Sequence, residues 1–386
     1  MPDLYYRLPL GGITDARTLT TMARLIVSRW GHRSATPMFS AQQLRRRLEQ
    51  ALESSGHRGQ VFSAALRQKD GWVDTATVVR RGDRIVVVAS GMLWGAQRLG
   101  VGIGPGTALW LRIGDNPVIS MLGSGMVIDA DNDGPLRVLA AEPGVLDELG
   151  EFDPTIRRTP LSGALTVALI HPYSAPDRLE ELADIDPELF TQLAHRAAHP
   201  TGPPDGWRYH PRLGAAEIFR ATGPDEIDCT THGDVGIVRR RVDHAITDDL
   251  HMSWSWLVTS LPSTLPENIE PTHDYLSVAI EFDDGRDLTW MWSSTLDVGT
   301  VFGCPLAYWR ARETHMVIRS STTELGQWVD ERRNIADDIH TALTPPYPTH
   351  VTAIWLIANS TFQRGTGTAR YRALQLGSSI PDKEHI

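Results

Sequence analysis

The sequence predicts a mostly β protein: two antiparallel, jelly-roll-like β-sandwich domains with a helical N-terminal segment and a helical connector between them. Three observations predict this. Short β-branched and aromatic runs recur through both halves, each ended by Gly, Pro or Asp. Helical spacing of apolar residues is confined to the first 55 residues, to residues 172–199 and to one run near residue 340. A stretch with four prolines and two glycines, residues 200–211, marks a boundary between domains. A length of 386 residues fits two domains.

The elements follow in order. Leu19, Met22, Ala23, Ile26 and Val27 recur at helical spacing behind a cap at Thr14 or Asp15, and Pro37 ends that run. Ser40 precedes a second helix over 41–53, striped by Leu44, Leu48 and Leu52. Its Arg45, Arg46 and Arg47 read as a solvated face rather than an anion site. Residues 1–58 form this helical segment. Alternation over 74–79 and the run D-R-I-V-V-V-A-S over 83–90 open the first sandwich, residues 59–171. Gly-rich turns at 100–106 lead to strands at 108–113, 125–128, 136–140 and 163–170. The connector and linker occupy 172–211, where Leu179, Leu182, Leu189, Phe190 and Leu193 give an apolar face and Pro187 starts a helix. The second sandwich, 212–377, has strands at 227–231, 235–242, 251–259, 275–282, 287–293, 315–320, 351–359 and 370–375, and one helix at 334–343. Residues 378–386 form a tail.

Composition narrows function. Hydrophobic residues are 41% and charged residues 22%, ordinary for a globular chain. A formal charge of −10 argues against nucleic acid or an anionic membrane as the main partner. No run of about 20 apolar residues and no basic-then-apolar leader is present, so the expected location is the cytoplasm. Oligomeric state is not legible. Cys229 and Cys304 cannot by themselves make a disulfide framework or a structural zinc site, and they read as small buried apolar residues. The glycines at 100–106 lack dinucleotide or Walker spacing, and neither G-x-S-x-G nor H-E-x-x-H occurs.

Several residues could carry chemistry. Trp254 and Trp256, and Trp290 and Trp292, form two W-x-W units whose period of two puts each pair on one strand face. Exposed indoles stack on sugar rings or polycycles; the competing reading is a sandwich core. In the run 275–282, Tyr275, Ser277, Ala279 and Glu281 share one face, so Glu281 stands beside small residues as a candidate acid or base. Asp274 and Asp337 are the other candidates. Arg319, with Arg332, Arg333, Asp337 and Asp338, belongs either to a ligand carboxylate clamp or to an Arg–Asp pair pinning the helix to the sheet. Asp129, Asp131 and Asp133 match the opening of a calcium loop, but its twelfth position is Ala140, so an acidic turn is the leading reading and calcium the alternative. His195 and His199 are four apart on a helix and read as a helix end rather than a metal pair.

Two family resemblances add to this. Residues 82–91, Leu111-Arg112-Ile113-Gly114, residues 133–138 and residues 163–167 resemble scaffold motifs of the galactose-binding bacterial lectin sandwich family, over about 70–170. That resemblance implies a sugar site built on calcium in the loop before the last strand, which here reads A-E-P-G-V-L-D over 141–147. No residue is carried over from it. Trp254-Ser255-Trp256, His273-Asp274-Tyr275, Trp290-Met291-Trp292-Ser293, Glu331-Arg332-Arg333-Asn334 with Asp337, and Ala369-Arg370-Tyr371 resemble the DUF3047 family, over about 206–376. That resemblance implies a galactose-binding-like jelly roll and no known activity.

The leading expectation is a protein that binds a glycan or polycyclic small molecule at a Trp-lined site made by Trp254, Trp256, Trp290, Trp292, Tyr275 and Arg319, with no required cofactor. The alternative is a cofactor-independent cyclase, isomerase or lyase in the same cleft, with Glu281, Asp274 or Asp337 as acid or base. A third reading is an interaction module with no small ligand.

Overall fold

The computed structural model describes residues 20–21, 23–24, 27, 38–97, 100–156, 158–173, 178–200, 202–306 and 309–378. The helix expected at 19–27 therefore lies mostly outside the described residues, as does the tail. The described chain is mostly β and forms two compact units, one from residues 27, 38–200 and 211–216 and one from 20–21, 23–24, 202–210 and 217–378.

The first unit opens with α1 (Ala41–Ser55). A capping box starts it: Ser40 Oγ accepts from the Gln43 N–H at 3.2 Å, and Gln43 Oε1 accepts from the Ser40 N–H at 2.8 Å. Gly56, at φ +69°, ends it. Strands β1 (Gln60–Leu66), β2 (Val73–Val79), β3 (Arg84–Ala96) and β4 (Val101–Ile103) follow, then the single turn α2 (Pro105–Ala108). Strands β5 (Leu109–Ile113), β6 (Ile119–Ser120), β7 (Gly125–Asp129), β8 (Gly134–Ala140) and β9 (Ser162–His171) complete the two sheets. One sheet runs β1-β9-β3-β4, with β7 also on β3; the other runs β2-β8-β5-β6. Helices α3 (Leu179–Ile185) and α4 (Pro187–Ala198) come last, with Pro187 in the first turn of α4 behind Asp186.

Alternation along β3 explains its unbroken apolar run. Ile85, Val87 and Ala89 enter the core between the sheets with Leu111, Val138 and Val167. Val86 and Val88 face the other way, into a second cluster with Leu44 and Leu48 of α1, Leu182 of α3 and Phe190 and Leu193 of α4. A strand covered on both faces needs no polar side.

The second unit is a larger sandwich. Its strands are β10 (Arg208–Tyr209), β11 (Phe219–Gly223), β12 (Glu226–His232), β13 (Val235–Ala245), β14 (His251–Ser260), β15 (Tyr275–Phe282), β16 (Asp287–Ser293), β17 (Val301–Gly303), β18 (Glu313–Ser320), β19 (Trp328–Asn334), β20 (His350–Asn359) and β21 (Thr366–Gly377), with α5 (Ile335–Ala342) after β19. Seven strands form one sheet in the order β10-β13-β20-β15-β16-β18-β17, and five form the other in the order β11-β12-β21-β14-β19. Pairing is antiparallel except between β16 and β18, which run parallel.

The register sorts side chains of the seven-stranded sheet. Leu276, Val278 and Ile280 of β15 stand opposite Trp292, Trp290 and Leu288 of β16 on the inner face, toward the other sheet. Tyr275, Ser277 and Ala279 share the outer face with Thr289 and Met291, and through the parallel pair with Glu313 and His315.

Candidate metal centre

The four tryptophans meet as the W-x-W spacing implies, but in the sandwich core. Trp254 of β14 lies 5.4 Å from Trp290 of β16, and Trp256 lies 5.3 Å from Trp292, centroid to centroid. All four are at most 2% exposed. Three indole N–H groups donate to partners: Trp256 to Glu331 Oε1 at 3.1 Å, Trp290 to Asp338 Oδ2 at 2.8 Å, and Trp292 to the Ser321 carbonyl at 3.0 Å. The Trp254 N–H is buried without a partner. Instead of an open indole platform, the packing is that of a core, and large aromatics at these positions fill the space between two sheets about 10 Å apart.

The three carboxylates expected as acid or base do not converge. Asp274 is fully buried and accepts from the Phe362 N–H at 2.9 Å and the Gln363 N–H at 2.6 Å, fastening the turn after β20. Glu281 lies at the far end of β15, about 23 Å along the strand. It accepts from Arg239 at 3.0 Å and from the Trp355 indole at 3.2 Å. Asp337 sits in the first turn of α5, where its N–H is capped by Asn334 at 3.0 Å. Arg319 pairs with Glu331 at 2.7 Å and Glu324 at 3.0 Å, so its charge is already answered. The Arg–Asp pair holding α5 to the sheet is Arg333 with Asp338.

In the acidic turn of the first unit, Asp129 pairs with Arg84, and Asp133 accepts from the Arg81 N–H at 2.6 Å. Neither these residues nor Asp131 belong to the cluster of metal-type donors found among the described residues. His195 and His199 stack on one another at 4.6 Å.

That cluster is His273, Cys304, Glu313 and His315, and their donor atoms all lie within 4.8 Å of one another. Three parts of the second unit supply them. His273 ends the β14–β15 connection, just after a 3-10 turn at Glu270–Thr272. Cys304 follows β17, and its N–H donates to the Glu313 carbonyl at 2.9 Å. Glu313 and His315 are two apart on β18, so both point to the outer face. All four are buried: His273, Cys304 and His315 at 0% exposure and Glu313 at 3%.

Hydrogen bonds orient the donors. His273 Nδ1 lies 2.6 Å from the Glu267 carbonyl, which requires a proton on that nitrogen and leaves the Nε2 lone pair 3.5 Å from Cys304 Sγ. The Tyr275 hydroxyl donates to Glu313 Oε1 at 2.9 Å, with Thr289 Oγ1 at 3.4 Å from the same oxygen. His315 is different. Its Nε2 is 3.4 Å from Glu313 Oε1, yet neither ring nitrogen makes a hydrogen bond. Phe302 stacks on that ring at 4.9 Å, 10° from parallel. A fully buried imidazole with both nitrogens unanswered is costly.

The electrostatics are lopsided. Burial, reinforced by His315, pushes His273 down to about 3, so it is neutral. Burial alone would raise Glu313, but His315, His273 and Cys304 together outweigh it and hold its carboxyl down at about 2. Burial, then the charge of Glu313, raises Cys304 and the neighbouring Asp287 well above their usual values. A buried anion, a neutral imidazole and a thiol that needs a nearby cation to ionise make a donor set suited to a metal.

Of the residues expected in the sequence to bind a ligand or act as acid or base, Tyr275 makes a hydrogen bond into this cluster, to Glu313. Cys304 is buried as expected but corrects its reading as an apolar filler, because its sulfur faces three donors. Histidines 273 and 315 and Glu313 were not expected there. The local signal for them is the pair Glu313-x-His315 on one strand.

No curated protein matches the chain. Similar solved structures include the xyloglucanase domain of NopAA, a type three effector from Sinorhizobium fredii in complex with cellobiose, at 8% identity over 46% of this chain and 96% of that one, TM-score 0.30. Others are the N-terminal CBM22-1-CBM22-2 tandem domain of Paenibacillus barcinonensis Xyn10C, at 8% identity over 83% and 98%, TM-score 0.23, and SGBP-B from a complex xyloglucan utilization locus in Bacteroides uniformis, at 8% over 78% and 71%, TM-score 0.22. Among the described residues no helix is long and apolar enough to cross a membrane. Residues 215–375 match the family model described as protein of unknown function (DUF3047), and it is this C-terminal half that carries the resemblance.

Proposed function

We propose that the second unit is a metal-binding domain, and that His273, Cys304, Glu313 and His315 hold one divalent transition-metal ion, zinc before others. One observation carries this: four donors of the right chemistry face one another inside the fold, and one of them, His315, makes no hydrogen bond, its Nε2 facing Glu313 of the same cluster at 3.4 Å. Imidazole, thiolate and carboxylate together favour zinc over calcium or magnesium, which take oxygen. Zinc bonds of about 2.0–2.3 Å place tetrahedral donors roughly 3.3–3.8 Å apart. His273 to Cys304 at 3.5 Å and His315 to Glu313 at 3.4 Å already match. Four protein ligands and no exposed one describe a closed site, whose role is structural.

A glycan or polycycle at the four tryptophans would have to open the core that they fill, so this reading gives way to the metal.

The test is metal content by mass spectrometry on protein purified without chelator, followed by zinc titration of chelator-treated protein. The expected result is a single equivalent of zinc, lost in Cys304→Ala and His315→Ala. A native-state ligand at 1,000 times its Kd adds about 4 kcal/mol, so the midpoint of unfolding should rise by about 10 °C. Background metal together with an unmoved midpoint would refute the assignment.

A further inference from the structure

Resting on that metal reading, we infer that the ion controls local order: it fastens the β14–β15 connection and the edge strand β17 onto β18, and without it these two segments open while the sandwich stays folded. The donors are distributed for this. Glu313 and His315 stand on β18, which pairs along its length with β16. Cys304 comes from the end of β17, a three-residue strand that pairs with β18 and is partly exposed. His273 comes from the connection, residues 261–274, which is tied down at other points by Glu267 to Ser293 and Ser294 and by Gln363 to Ser263 and Thr272. Short edge strands and loop connections sit at the low end of a protein's local stability, and the central strands at the high end.

An empty cluster works against closure. The His315 imidazole is buried with no hydrogen bond at either ring nitrogen, whereas Glu313 keeps the Tyr275 hydroxyl as a donor. Opening lets water reach the imidazole. A bound cation removes that advantage by accepting the same lone pairs.

Hydrogen exchange of the full chain, with zinc chloride and with the zinc stripped by chelator, separates the outcomes. The reporters are the amides of Thr272 and Cys304, which donate to Ile269 and Glu313, against amides of β13 and β20. The expected result is at least a ~10-fold loss of protection at the reporters on stripping, with β13 and β20 unchanged. Asp274→Asn loosens one further anchor of the connection, its bonds to the Phe362 and Gln363 N–H groups, without touching a donor, and should raise exchange at Thr272 in the zinc-loaded protein while leaving the zinc equivalent intact. Zinc bound but reporters unmoved on stripping would overturn this inference and leave the metal site standing. Equal loss of protection in β13 and β20 would overturn it too, since the ion would then hold the whole unit. No zinc bound at all would overturn the reading beneath it.

Discussion

Replacing Trp254 or Trp290 by Phe removes the same atoms from the same core, yet the two substitutions should differ in cost. Both lose ring volume, a fraction of the ~3–5 kcal/mol that truncation to Ala costs. The indole N–H sets them apart. Trp290 donates to the Asp338 carboxylate at 2.8 Å, a bond to a charged acceptor worth about 1.5–3 kcal/mol. Trp254 has a buried N–H with no acceptor, so Phe there relieves a penalty of about 1–3 kcal/mol. Trp290→Phe should therefore be the more damaging by at least about 2 kcal/mol. Urea unfolding with unchanged slope would show this as a midpoint gap of about 1 M. Equal midpoints, or a lower one for Trp254→Phe, would show that hydrogen bonding does not distinguish the two indoles and would refute the reasoning.

Other perturbations probe other joints. Tyr275→Phe removes a donor from Glu313 without touching a metal ligand, so zinc affinity should fall about 10–100-fold in competition with a chromophoric chelator. Asp338→Ala orphans the Trp290 N–H and unpairs Arg333; with Arg333 partly exposed, the loss should be about 3 kcal/mol in equilibrium unfolding, and Asn should recover part of it. Gly91→Ala places a Cβ 2.5 Å from the Ala164 carbonyl at φ +93°, so the first unit should lose more than ~2 kcal/mol or fail to fold. The Arg80 N–H, and then His171, hold the Asp83 carboxyl below its ordinary range. Its contribution is thus present above the ordinary carboxylate value and lost as pH falls through the lowered one; Asp83→Asn should flatten that acid limb in a pH series of melting curves.

Strands β15 and β16 were legible to the residue, because alternation and β-branched content are local. Strand β19 was not. Its sequence, W-V-D-E-R-R-N, looks like a charged loop, and an edge strand with one open face has little need of apolar residues. The period of two put each tryptophan pair on one strand face correctly, but period says nothing about whether that face meets water or another sheet. The donor cluster was hidden for a different reason. Its donors lie at 273, 304, 313 and 315, and only register brings β17 and the connection beside β18. Two cysteines far apart in sequence signal nothing until one of them is seen beside two imidazoles.

The parallel pairing of β16 with β18 reaches further than the sheet. Neighbouring strands that run the same way cannot be joined by a tight hairpin; the chain must travel back to its starting end before it can pair. Residues 294–312 make that return journey, and on the way they lay down β17, deliver Cys304 and bring Trp309 against Trp355 on the outer face. The thiol and the Phe302 ring that stacks on His315 are thus freight carried by a topological detour. A relative that reversed the strand and shortened the detour could keep Glu313 and His315 on a sound sandwich and still lose the sulfur, its cover and, with them, the proposed metal site in a single deletion.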